Sequence, residues 1–497
     1  MWLLTFDQIH EKPNAITWRP LALLELERRI SLDNGSPPCD GVEQTCRRGI
    51  SKLGNSPAEH KPPLHWAVPK TSIAYRALAG LANALVPLVA RGSGKLAQGD
   101  RARRAALDQW LRWSTTHRDR SRPLLWVHAP SVGEGLQANA VLERLRRRNP
   151  SWQIVYSFFS PSAEQLATRQ PVDYAGYLPY DTRSNVGPLL EMLAPTALVF
   201  TKLDLWPELS TGAAARGVKL GMIAATVSAV SRRGHPIARI LTQPGYQALD
   251  RIGAVAEPDA TRLIGLGARP AAITITGDPR FDSALERARA IAADDPLRRL
   301  TAGAPTLVAG STWPADERVL LDAYRQVRNR HPDARLVLVP HETTQVKSLT
   351  AAVRRAGWPQ ARLSELGDQI PAVVIVDRVG ALATIYAGAR VAYVGGGFGA
   401  AGLHSVLEPA AVGVPVIVGP RWQSSREAHL LIAVGGARSL TKTEPEADLA
   451  ESWADWLDPG ASAASGAQAL AVVTRELGAA DRNAALVEEL LATGRGP

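Results

Sequence analysis

The stretch 394-VGGGFGAAGLHSVLEPAAVGVPVIVGP-420 decides the fold class. An apolar run ends at Val394 and gives way to Gly395, Gly396 and Gly397. Helical spacing begins near Ser405, breaks at Gly413, and Pro415 opens a second apolar run. Strand, glycine loop, helix and strand in that order make the repeating unit of a parallel sheet covered by helices. Glycine loops before a helix also present bare backbone N–H groups, and these suit phosphate. Gly395, Gly396, Gly397 and Ser405 are therefore candidate phosphate contacts, with Glu408 on the first turns of the helix placed to accept from a ribose. The spacing is not a strict GxGxxG and no ribose-binding acid follows the next strand, which argues against a dehydrogenase.

The same alternation runs outward through the chain. Upstream lie TLVAGS (306–311), RLVLVP (335–340) and AVVIVD (372–377). Earlier still come LLWVHA (124–129), IVYSFF (154–159), ALVFTKL (197–203) and VKLGMIAA (218–225). Short continuous apolar runs fit strands buried on both faces, so the chain reads as two Rossmann-like α/β halves, 98–290 and 291–497. Their length of 497 residues supports two or three units. An apolar share of 45% with 21% charged residues excludes wholesale disorder and a polytopic membrane protein.

A net charge of +10 implies attraction to polyanions. The only cysteines, Cys39 and Cys46, precede the first clear domain, so no disulfide framework is expected and a reducing cytoplasm is the default. Residues 1–70 show no sustained period and read as an extension without a core, with an alternative start near Val68 conceivable. Within 71–97, the segment SIAYRALAGLANALVPLVA (72–90) is mostly apolar, and Arg91, Lys95, Arg101, Arg103 and Arg104 follow it. An apolar helix beside cations suits an anchor on an anionic membrane surface; a core helix packed on the first half is the other reading.

In parallel sheets ligands bind beyond the carboxyl ends of the strands, so the loops there hold the candidate chemistry. The first is 128-HAPSVGEG-135. Ser131 and Glu134 have the spacing of a helix capping box. Alternatively Glu134 is a general base, with Gly133 and Gly135 letting a substrate approach the backbone. The second loop carries Lys202 and Asp204 before Trp206-Pro207-Glu208, either as substrate contacts or as helix N-terminal acids. Ser311, Thr312 and His341 belong to the rim of the second sheet. His341, His404 and His429 sit on separate elements without paired-ligand spacing, so no metal is expected.

Taken together, SVGE after the first strand, LDLWPE, GSTW, VPHE and GLHSVLEPAAVGVPVIVGP resemble the bacterial 3-deoxy-D-manno-octulosonic acid (Kdo) transferases, in the family's order and over roughly residues 72–440. The resemblance implies a GT-B fold with two Rossmann-like domains facing a central cleft, and an inverting transfer of Kdo from CMP-Kdo to a lipid A precursor. It further implies work at the cytoplasmic face of the inner membrane without a bound metal or other cofactor. Glu134 falls on the family's catalytic base and Asp204 on an acidic position before Trp-Pro. Ser311, His341, the 395–397 turn, His404, Ser405 and Glu408 fall on donor-side motifs. Lys202 stands where an acid is usual, and Ser405 replaces a frequent asparagine. Another sugar-nucleotide enzyme, a GlcNAc transferase or a UDP-GlcNAc 2-epimerase-like protein, could share the architecture. A nucleic-acid-binding protein would explain the charge, but aromatic residues suited to base stacking do not interleave the basic ones.

Overall fold

The computed structural model describes residues 69–228, 231–399 and 402–492. Residues 1–68 of the expected extension, with its two cysteines and the alternative start, lie outside the described residues.

Strands β1 (Leu124–His128), β2 (Gln153–Phe158), β3 (Tyr174–Tyr177), β4 (Ala197–Thr201), β5 (Lys219–Ala225), β6 (Arg251–Ala254) and β7 (Ile273–Ile275) form the first sheet. Its order is β3-β2-β1-β4-β5-β6-β7, and its pairs are parallel. The second sheet contains β8 (Thr306–Thr312), β9 (Arg335–Pro340), β10 (Gln360–Arg362), β11 (Val373–Ile375), β12 (Val391–Val394), β13 (Val416–Val418) and β14 (Ala437–Ser439), in the order β10-β11-β9-β8-β12-β13-β14 and again parallel. Two parallel-sheet α/β halves were legible from the apolar runs because strands such as β1 and β4 are buried along their whole length. The order reverses direction between β1 and β4 in the first sheet and between β8 and β12 at the centre of the second. Connections leave to opposite faces there, and the strand ends open a crevice.

Helices connect the strands. In the first half these are α1 (Ile73–Val89), α2 (Lys95–His117), α3 (Val132–Arg148), α4 (Glu164–Ala167), α5 (Arg183–Leu193), α6 (Pro207–Ala214), α7 (Pro236–Gln247) and α8 (Glu257–Gly265). Then come α9 (Arg280–Arg289), α10 (Pro314–Arg330), α11 (Val346–Arg355), α12 (Leu382–Tyr386), α13 (Leu407–Ala411), α14 (Arg426–Ala433), α15 (Pro445–Leu457), α16 (Pro459–Arg475) and α17 (Ala479–Ala492). Proline opens α6, α7, α10, α15 and α16, where a missing N–H costs no helical hydrogen bond.

The division at 290 does not follow the packing. Phe281, Ala284 and Leu285 of α9 pack with Val394, Leu407 and Val472 in a core of the second half. Conversely, Ala484, Val487, Leu490 and Leu491 of α17 join the core of the first half. The chain thus crosses over at α9 and returns at α17. Apolar periodicity marks a helix face as buried but does not say against which sheet, so this exchange was invisible in the sequence.

The apolar segment after residue 71 forms α1 as expected, and it is not a core helix. Only Tyr75 and Val86 are buried, while Ile73, Leu78, Leu81, Leu85, Leu88 and Val89 are exposed. No helix among the described residues is long and apolar enough to cross a membrane. The basic run behind α1 is used differently from the expectation. Arg103 is buried, donates to the Phe159 carbonyl and the Tyr180 hydroxyl, and lies 3.9 Å from the Phe159 ring centre. Arg104 pairs with Asp100 at 3.1 Å and donates to the Asn83 carbonyl, tying α2 to α1. These two arginines hold the protein's own fold together rather than facing a leaflet.

Tyr75 fixes α1 from below. Its hydroxyl donates to Asp181 at 2.7 Å, and the same carboxylate accepts from the Glu208 and Leu209 amides at the start of α6. Burial pushes Asp181 up to about 6, despite these three donors.

Candidate active site

The first crevice brings Ser131, Glu134 and Lys202 together. Glu134 sits in the first turn of α3, directly beyond β1, and is 3% exposed. The Ser131 hydroxyl donates to one carboxylate oxygen, and Lys202 Nζ lies 3.1 Å from the other. Ser131 is the N-cap residue, but its side chain does not bond a helix N–H. The capping box suggested by the spacing is therefore not formed, and the hydroxyl is spent on Glu134 instead. The helix begins at Val132, directly after Ser131.

Gly133 and Gly135 have different roles. A Cβ at Gly133 would find only Ser131 Oγ at 3.9 Å, leaving room for a ligand. A Cβ at Gly135 would lie 2.7 Å from Leu166 and 2.8 Å from the Tyr156 hydroxyl. Close helix packing, rather than substrate approach, explains Gly135.

Lys202 reaches Glu134 because its backbone is left-handed, with φ of 65°. For a residue with a Cβ this conformation costs roughly 1–2 kcal/mol. The amide of Lys202 bonds the Ile223 carbonyl of β5, which holds the turn in place. Asp204 is engaged elsewhere, 2.5 Å from Arg233, which also donates to the Leu203 carbonyl. It forms a second ion pair of the same loop and does not join Glu134.

Below the loop, Trp206 donates its indole N–H to His128 Nε2 at 2.8 Å, and His128 Nδ1 meets Ser157 Oγ at 2.8 Å. Burial lowers His128 to about 4, so the ring is neutral and Nδ1 carries the proton. This network locks the floor under Lys202 and Glu134.

The second crevice has a corresponding strained residue. Ser311, at the end of β8, has φ of 53°, and the β8–β9 register shifts between Gly310 and Thr312. The bulge drives the Ser311 carbonyl against β12, where a Cβ on Gly395 would come within 2.3 Å of it. Gly396 has φ of 96° and donates its N–H to Asp316 at 3.0 Å; a Cβ on Gly397 would lie 2.6 Å from Gly419 Cα. Lys202 and Ser311, both left-handed, thus lie at strand ends next to a reversal of strand order.

Beside the glycine turn is an aromatic stack. The rings of Trp313 and His341 are 4.8 Å apart and those of His341 and His404 are 4.3 Å apart, all near parallel. Trp313 donates its indole N–H to His404 Nε2 at 3.0 Å. Burial, with His341 adding to it, lowers His404 to about 4 and leaves it neutral. The sequence separated His341 from His404; the structure stacks them directly and adds Trp313, which was not among the candidate residues. Among the described residues no group of histidine, cysteine and acidic side chains could hold a metal ion.

The helix after the glycine turn is shorter and later than expected, beginning at Leu407. Ser405 Oγ accepts from the Leu407 amide, and Glu408 lies 3.7 Å from Arg287 of α9. Asp316 and Glu317, on the first turn of α10, were missed. Asp316 accepts from the Trp313 and Gly396 amides and the Tyr393 hydroxyl, so it sets the shape of the turn. Glu317 accepts from Thr312 Oγ1 at 3.2 Å, and burial pushes it up to about 7, with Asp316 adding to the rise. A first-turn acid signals only a helix start in sequence, so neither could be distinguished from the others.

A bridge also missed in sequence links the halves near this site. Arg280 pairs with Asp278 at 2.6 Å and with Glu427 of α14 at 3.0 Å, while Gln137, one turn beyond Glu134 on α3, donates to Asp278.

Residues 105–283 match the family described as 3-deoxy-D-manno-octulosonic-acid transferase (kdotransferase). The 3-deoxy-D-manno-octulosonic acid transferase of Bordetella pertussis is 29% identical over 343 residues, 66% of this chain and 78% of that protein. The same-named protein of Haemophilus influenzae is 26% identical over 327 residues, 64% of this chain and 76% of that protein. Alignments longer than either half necessarily run through both. Among solved structures, the UDP-GlcNAc 2-epimerase from Neisseria meningitidis bound to UDP-GlcNAc superposes with a TM-score of 0.52 at 12% identity, covering 75% of this chain and all of that one, at 100%. That likeness shows the two-sheet fold and nothing of the reaction. The matched family covers the first crevice and the sequence relatives run through both halves, so the chain is a glycosyltransferase similar to the 3-deoxy-D-manno-octulosonic acid transferases.

Proposed function

We propose that this protein transfers Kdo from CMP-Kdo to a lipid A precursor in lipopolysaccharide assembly, at the cytoplasmic face of the inner membrane. The observation that carries the chemistry is the Ser131–Glu134–Lys202 cluster beyond β1 and β4 in one half, with a strained glycine turn at the strand ends of the other. In this reading the halves form a GT-B cleft, with acceptor on the first half and donor on the second. Glu134 takes the proton from an acceptor hydroxyl while that oxygen bonds to the anomeric carbon of Kdo. The bond from that carbon to the phosphate oxygen breaks, and CMP leaves with the electron pair, inverting the anomeric centre.

Each carboxylate oxygen has a lone pair beyond those used by Ser131 and Lys202, so a hydroxyl can be received without breaking either contact. The Gly395 and Gly396 amides already donate to Gly310 and Asp316, so charge on the departing phosphate would be met by the Gly397 N–H and by the Ser311 and Ser405 hydroxyls, without a metal. The exposed apolar face of α1 supports contact with the bilayer surface. A UDP-GlcNAc 2-epimerase activity has only the shared fold in its favour.

The test is direct. Protein incubated with CMP-Kdo and lipid A precursor should give a lipid heavier by one or more Kdo units. Release of CMP without lipid product, or no reaction with CMP-Kdo, sinks the proposal.

Glu317 supplies a pH signature. Its folded value near 7 means that the carboxyl gains its proton as pH falls from 8 to 6. Loss of a negative charge beside an anionic donor favours binding, so the donor Kd should fall over that interval. Glu317→Gln should flatten the profile; an unchanged profile in the variant would assign the dependence to another group.

A further inference from the structure

A cavity of about 410 Å³ lies between the entry to α1 and helices α5 and α6, within the size range of about 300–1,000 Å³ common to ligand sites. It has no part in the chemistry described above. Lys70, Arg76, Arg183 and Arg216 line it, opposed by two carboxylates, Glu191 and Glu208. Arg76 is held by Glu208 at 2.8 Å and Arg216 by Glu191 at 2.9 Å. Lys70 and Arg183 are exposed and make no ion pair among the described residues, so the lining carries an excess of positive charge.

The cavity has two neighbours. On one side α1 presents its exposed apolar stripe, with Ile73, Leu81, Leu85 and Leu88 spaced along one face at helical period. On the other, α6 is the helix that directly follows the loop carrying Lys202, the partner of Glu134. An occupant with an anionic, hydroxyl-bearing head and apolar tails fits all three features. Cations would take its phosphate, the Glu191 and Glu208 carboxylates would accept from sugar hydroxyls, and the stripe would carry its chains. A bulk phospholipid would use the cations and the stripe but leave the carboxylates facing its phosphate.

We propose that this cavity seats a phosphorylated sugar of the acceptor lipid, with Lys70 and Arg183 as its phosphate ligands. The proposal rests on the acceptor being a glycolipid, as in the reading above. It assigns the acceptor's grip to a site separate from the base, so that one end of the lipid head is held while a hydroxyl at the other reaches Glu134.

The test measures binding by the full-length protein without donor, so it does not depend on turnover. The probes are a short-chain phosphorylated disaccharide lipid, its dephosphorylated counterpart, and phosphatidylglycerol vesicles. The native protein should prefer the phosphorylated probe. Lys70→Gln with Arg183→Gln should weaken that probe by about ten-fold or more, the size of losing one or two charge-assisted hydrogen bonds, and should abolish the preference. Vesicle binding should change little, and Arg147→Gln, an exposed cation of α3, should leave all three unchanged. Gly187→Leu, at a position lining the cavity where an added Cβ would lie 3.8 Å from Arg216, should exclude both disaccharide probes without removing a charge. No preference in the native protein, a preference retained in the double variant, or equal losses on probe and vesicles each overturns the proposal, the last assigning the cations to bulk lipid. If the native protein binds the probe as expected but transfers no Kdo, the catalytic reading fails and the cavity's role stands.

Discussion

Glu134→Gln should lose about 10²- to 10⁴-fold in turnover, the usual contribution of a positioned general base, while donor affinity stays within two-fold, roughly the scatter expected for a group on the opposite half. The substitution is nearly isosteric. The amide oxygen can still accept from Lys202, and the Ser131 hydroxyl can rotate to accept from the amide nitrogen. The cluster should therefore keep its geometry, and the loss should fall on kcat rather than on stability or on the donor Kd. Rates for native and variant protein, with donor affinity measured separately, make the distinction. Turnover within ten-fold of the native protein would remove Glu134 from the proton transfer. Lys202 gives a control, because truncating it disturbs the orientation of the carboxylate while leaving its chemistry; a smaller loss than in Glu134→Gln is expected.

The second large effect belongs to the glycine turn. At Gly397 an added methyl group would meet backbone rather than a movable side chain, since Gly419 Cα, N and C all lie within 2.9 Å of the new carbon. Backbone cannot yield by rotamer change, so Gly397→Ala must displace either the turn after β12 or the one after β13. Overpacking of this kind costs about 1–3 kcal/mol. The larger consequence expected is functional, because in the proposed reaction the displaced turn would take the Gly397 N–H away from the departing phosphate. Where a donor at a developing oxyanion is lost, rates fall by about 10²- to 10³-fold. Gly367→Ala is the matched control in the same half, with nothing within 4 Å of the added carbon. A Gly397→Ala protein with native donor affinity and turnover would show that the turn does not cradle the donor.

Both effects depend on residues named from sequence, yet the reasons behind them differ from those the sequence offered. The Ser131 and Glu134 spacing suggested a capping box, and the structure instead turns the serine hydroxyl onto the carboxylate. Gly133 and Gly135 looked alike, but only Gly133 leaves space, because Tyr156 and Leu166 come from other elements to fill the room beside Gly135. The basic run after α1 looked like a membrane contact. Arg103 and Arg104 found internal partners in Phe159, Tyr180, Asp100 and Asn83, and only Asp100 is close to them in the chain.

Sequence by itself determined the two parallel-sheet halves and the glycine loops at their strand ends. Those features are local: a buried strand needs a continuous apolar run, and a backbone that must pass within 3 Å of another can carry only glycine. The tertiary structure alone decided the Glu134–Lys202 pair, the stack of Trp313, His341 and His404, the exchange of α9 and α17 between the cores, and the cationic cavity under α1. Each joins groups far apart in the chain, and their meeting depends on the order in which strands enter a sheet, which no run of neighbouring residues encodes.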